Sequence, residues 1–118
     1  DHAAVGLALD VFHLGIEEKH VGDALRAAGR RLVHLQVAEN DRGTPGTGSL
    51  PWADIAGALH EIGYSGRVVI ETFSDRVEAI ARAAAIWRPL APDSDSLARE
   101  GLVFLRGLLA EQPRHAVH

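Results

Sequence analysis

Apolar residues along the chain follow two alternating patterns. Three short unbroken runs, residues 5–10, 32–36 and 67–71, each end in a polar side chain: Asp10, Gln36 and Glu71. Elsewhere apolar residues recur at spacings of three and four, the period of a helix with one buried stripe. Val21, Ala24, Leu25 and Ala28 predict a helix that stops near Gly29, a residue able to take the left-handed closing conformation. Glu17 and Glu18 read as its solvated first turn, favoured there by the helix dipole. Pro51 suits the first turn of a second helix, marked by Ile55, Ala58, Leu59 and Ile62 and followed by Gly63. Asp75 and Glu78 form a capping box before Val77, Ile80, Ala81, Ala84 and Trp87, with Pro89 closing that helix. After a linker over residues 89–96, Ala98, Leu102, Leu105 and Leu109 predict a last amphipathic helix, and the tail from Gln112 is expected to fray.

Unbroken apolar strands alternating with helices predict an α/β fold with a parallel sheet covered by helices. Three strands are too few to close a barrel, which takes eight strands and roughly 250 residues. The expected fold is therefore a partial TIM barrel: the C-terminal strand-helix units over residues 1–112, with 113–118 as a disordered tail. Two unpaired sheet edges would favour association. The chain holds no Met and begins with Asp1 just before a strand, so it is expected to be a piece of a longer protein.

Composition narrows the partners. A net charge of −4 leaves no basic footprint, so neither nucleic acid nor an anionic membrane is an expected partner. No apolar stretch approaches the ~20 residues that span a bilayer. Without cysteine there is no disulfide framework and no thiolate metal site, so a metal would need His and carboxylate ligands. A cytoplasmic location is the expectation.

In a parallel sheet wrapped by helices, the C-terminal strand ends share one rim, so Asp10, Gln36 and Glu71 are expected to converge on a single ligand. From spacing alone Asp10 reads equally as a cap for the following turn, and Glu71 as a solvated rim carboxylate. His13 near an apolar run reads as structural and Arg42 in a polar loop as a surface charge. Gly43, Gly46 and Gly48 lack the Gly-Lys-Ser/Thr ending of a phosphate cradle and read as loop flexibility. His115 and His118 carry no specific role.

Five segments carry a family resemblance: residues 9–18 (LDVFHLGIEE), 39–48 (ENDRGTPGTG), 59–66 (LHEIGYSG), 69–73 (VIETF) and 83–92 (AAAIWRPLAP). Together they resemble the C-terminal part of the ketose 3-epimerases of the sugar phosphate isomerase/epimerase superfamily. The resemblance implies a barrel enzyme with a divalent metal, Mn²⁺, Co²⁺ or Mg²⁺, that inverts C3 of a ketose between two carboxylates. It implies that Glu71 is one of the two catalytic glutamates and a metal ligand, and that Asp10 is a second ligand. His13 and Arg42 would contact substrate oxygens. The other catalytic glutamate belongs to an earlier strand that the chain lacks, so the chain by itself is expected to be inactive and the full-length enzyme to be a homo-oligomer.

One position departs from the family pattern. A His-x-His motif precedes the Glu-x-x-Arg stretch in these enzymes, and its second histidine binds the metal; here the residues are His34-Leu35-Gln36. A glutamine carbonyl is a neutral ligand suited to hard cations and weaker than imidazole for later transition metals. His34 lies on the same strand face roughly 6.6 Å lower, so it would serve only a shifted metal. Two rival readings stand beside the epimerase: a hydroxypyruvate isomerase or inosose dehydratase on the same barrel, and a non-catalytic half-barrel.

Overall fold

Each apolar run becomes a strand. In the computed structural model, which describes residues 2–73 and 78–111, β1 (Leu7–Asp10), β2 (Leu32–Val37) and β3 (Arg67–Ile70) form one parallel sheet in the order β1-β2-β3. Around them lie α1 (Val11–Glu17), α2 (Val21–Ala28), α3 (Trp52–Glu61), α4 (Glu78–Ala83) and α5 (Ser94–Ala110). The architecture is the expected one: three parallel strands with helices, an open part of a TIM barrel.

The helices bury one face of the sheet. Leu35 and Val37 point into a core with Val11, Val21, Leu25, Trp52, Ile55, Leu59 and Leu105, and Val68 and Ile70 pack against it. On the described part of the molecule the other face stays open, so Val33 and Val69 remain exposed. Val5 falls outside β1 and is exposed too. A smaller cluster of Ala81, Ala84 and Ile86 forms beside Phe73 and Leu90. Among the described residues no helix is long and apolar enough to cross a membrane.

Helix limits differ from the sequence expectation in four places. Asp10 caps an additional short helix, α1, so Glu17 ends that helix and Glu18 is its extended C-cap; neither opens α2. Gly29 does close α2, with φ 54°. Pro51 sits just outside α3 as its N-cap residue, and Trp52 opens the helix. The helix of Ile80 and Ala81 ends at Ala83, because Ala85 takes φ 56° and turns the chain; Ile80 is left exposed and Trp87 is 77% exposed.

The last helix begins inside the supposed linker, where the Asp93 carboxylate accepts from the Ser96 N–H at 2.7 Å. Its buried stripe runs through Leu97, Gly101 and Leu105, with Phe104 and Leu108 partly buried, whereas the expected Leu102 and Leu109 are exposed. The capping role given to Asp75 and Glu78, the core role of Val77, and the tail with His115 and His118 lie outside the described residues or side chains.

Candidate functional site

Parallel pairing sets the rim. Asp10 is in register with Gln36, and Gln36 with Val69. Side chains alternate along a strand, so Glu71, two residues past Val69, lies on the same face. Its N–H donates to the Val37 carbonyl at 2.9 Å, which continues the pairing one residue beyond β3. His34 pairs at the level of Ala8 and Arg67, below the rim.

Asp10 is the cap that its spacing allowed. One carboxylate oxygen accepts from the Phe12 N–H at 2.8 Å and caps α1. The other lies 3.9 Å from His13 Nε2, while His13 itself stays mostly exposed. Asp10 is also the acidic neighbour of Glu71. Burial first, and then this neighbour, push the Glu71 carboxyl above its ordinary value, with Arg42 and His13 pulling the other way. The two carboxylates that the sequence places far apart thus share one corner.

Arg42 completes that corner. Its Nη1 is 3.7 Å from Glu71 Oε2, and its guanidinium carbon stands 3.9 Å from the Phe12 ring centre and 5.1 Å from that of Phe73. Stacking between two rings suits a planar, weakly hydrated cation. The side chain is only 12% exposed, its backbone takes φ 70°, and its buried Nε has no hydrogen-bond partner. This is a built-in residue, not a surface charge.

Sequence reasoning missed Glu39, which is fully buried. One carboxylate oxygen accepts from the N–H groups of Asn40 and Leu50, both at 3.0 Å. The other accepts from the Gly46 N–H at 2.9 Å and the Trp52 indole at 2.7 Å. A buried charge is tolerable only when its lone pairs are met in this way. The available signal was an acidic residue directly after an apolar strand and ahead of a loop rich in glycine.

Two of the loop glycines serve packing where flexibility was expected. A Cβ at Gly48 would collide with Asn40 Oδ1 and Glu39 Cγ, and one at Gly46, whose φ is 91°, would lie 2.6 Å from the Phe104 ring. The third, Gly43, donates its N–H to Asp41 Oδ1 at 2.9 Å. The other Asp41 oxygen pairs with Arg88 at 2.8 Å and ties the loop to the segment after α4.

Comparison with known proteins agrees with this architecture. The model of the xylose isomerase-like TIM barrel family matches residues 1–108. A probable ketose 3-epimerase of Synechocystis is 42% identical over 90% of this chain, and a D-psicose 3-epimerase of Enterocloster bolteae is 46% identical over 75%. The chain spans only 37% and 30% of those two proteins' lengths. A solved L-ribulose 3-epimerase superposes with a TM-score of 0.86 at 34% identity, covering 97% of this chain and 42% of that one. On the family match, the shared fold and these ketose 3-epimerase relatives, the chain belongs to the xylose isomerase-like TIM barrel family.

Proposed function

We propose that this chain is the C-terminal part of a metal-dependent ketose 3-epimerase acting on a free ketose. The observation that carries the reading is the corner shared by Asp10 and Glu71 under Arg42, in a chain related to ketose 3-epimerases.

Glu71 removes or returns the C3 proton. A carboxyl raised by burial and by a neighbouring carboxylate is a stronger base than a free one, and so better matched to a weakly acidic carbon. Arg42 and His13 hold substrate oxygens, and the unmet Arg42 Nε is a donor without an acceptor until one arrives. The second acid/base group comes from strands outside this chain, so the chain alone is inactive.

The donor set fits a hard divalent cation. Two neighbouring carboxylates favour a positive charge between them, and Gln36 is in register with Asp10. Among the described residues no three His, Cys, Asp or Glu side chains are grouped to hold a metal ion; in this proposal the Gln36 oxygen is the third ligand from this chain, a donor suited to a hard cation. When bound, such an ion polarises the carbonyl next to C3 and stabilises the negative charge that develops on its oxygen. The complete enzyme is a cytoplasmic homo-oligomer in this proposal.

The test is expression of the complete open reading frame, with Mn²⁺, Co²⁺ or Mg²⁺ supplied, and chromatography of fructose, psicose, tagatose, sorbose and ribulose reactions. C3 interconversion of any of them supports the proposal. Absence of turnover with every ketose and metal refutes it.

A further inference from the structure

We propose that Glu39 is a positioning residue for Arg42: its buried carboxylate locks the loop of residues 40–50 in the shape that keeps the guanidinium over Phe12 and beside Glu71. The inference rests on the reading of Arg42 as a substrate contact and adds to it the residue through which that contact is built.

Four observations support it. The donors to Glu39 come from the start of the loop at Asn40, its middle at Gly46, its end at Leu50 and the first residue of α3 at Trp52, so one carboxylate gathers the whole segment. Both backbone groups of Glu39 also close on the turn that carries Arg42: its N–H donates to the Gly43 carbonyl at 3.1 Å, and its carbonyl accepts from the Arg42 N–H at 2.9 Å. Arg42 sits at φ 70°, a conformation a bulky L-residue rarely adopts unless its surroundings impose it. Finally, Gly48 leaves no room for a side chain between Glu39 and Asn40, so the loop is fitted tightly around the carboxylate.

Charge is what the position needs. Two carboxylate oxygens accept from four donors, whereas an amide offers one accepting oxygen and would aim its own N–H groups at two of them. Glu39 has no part in proton transfer itself. Its oxygens are engaged by the loop and the indole, away from the Asp10 and Glu71 corner.

The experiment compares wild-type complete protein with Glu39→Gln and Trp52→Phe. Arginine labelling by phenylglyoxal is followed residue by residue by mass spectrometry, under conditions where circular dichroism shows each variant folded. Arg26, held on α2 by Asp23, Asp54 and Glu61, serves as the internal reference. Glu39→Gln should speed labelling of Arg42 with Arg26 unchanged. Trp52→Phe removes one donor and leaves the carboxylate, so it should act in the same direction but less, and it covers the case in which Glu39→Gln fails to fold.

In ketose turnover, Glu39→Gln should lower kcat/KM by on the order of 100-fold, the usual consequence of an ångström-scale misplacement. It should cost little further on an Arg42→Ala background. Unchanged Arg42 labelling in both variants, equal acceleration at Arg26, or full additivity with Arg42→Ala would overturn the inference. If the wild-type protein turns over no ketose, the epimerase reading fails, and the labelling still decides the role of Glu39.

Discussion

Replacing Glu39 by glutamine changes one atom type at a fully buried site, so its cost can be worked out from the hydrogen bonds. Whichever way the new amide is turned, its nitrogen faces two N–H donors: those of Asn40 and Leu50, or those of Gly46 and Trp52. Each orphaned buried donor costs about 1–3 kcal/mol, giving about 2–6 kcal/mol for the pair. Removing a buried charge gives some of this back, so the lower half of the range, about 2–4 kcal/mol, is expected. Trp52→Phe deletes one donor to a charged acceptor and orphans none, for about 1.5–3 kcal/mol. The assay is urea unfolding followed by far-ultraviolet circular dichroism, which reads both variants on the same footing. A Glu39→Gln variant within about 0.5 kcal/mol of the parent, the range of ordinary surface substitutions, would refute the reasoning.

Three further outcomes follow from the site and its loop. Asp10→Asn removes a like charge beside Glu71, so the Glu71 carboxyl should titrate at lower pH, read by carbon NMR of the side-chain carboxyl. Because folding raises the Glu71 value, the folded chain holds this proton more tightly; stability should fall as pH rises from the ordinary glutamate range through the raised value, and Asp10→Asn should flatten that fall. Gln36→His replaces an amide oxygen with imidazole at the proposed metal site, so calorimetric titration should show Co²⁺ gaining affinity relative to Mg²⁺; an unchanged ratio would remove Gln36 from the ligand set. Gly46→Ala forces a side chain into φ 91° and against Phe104, and should destabilise the fold by about 2–5 kcal/mol from combined strain and overpacking, measured as a shift in the urea midpoint.

The sequence by itself determined the layer order and the rim. Strand runs and helical stripes are local periodicities, and parallel pairing then has little freedom to place Asp10, Gln36 and Glu71 anywhere but on one edge. Arg42 read from its polar loop as a surface charge, and the structure instead places it, largely buried, beside Glu71. What the sequence left undecided depends on contacts between distant elements. The stripe of α5 was read from Ala98 and Leu102, but packing against the sheet and the neighbouring loop turned Leu97, Gly101 and Leu105 inward instead. Trp87, the largest apolar residue of its helix pattern, ended outside because Ala85 breaks the helix before it.

Glu39 is the clearest case. Its burial is the sum of a loop folding back and an indole from the next helix; its donors all lie within residues 40–52, but their order along the chain does not show that they converge on one carboxylate. A carboxylate becomes interior only when enough donors surround it, and that count exists only in three dimensions.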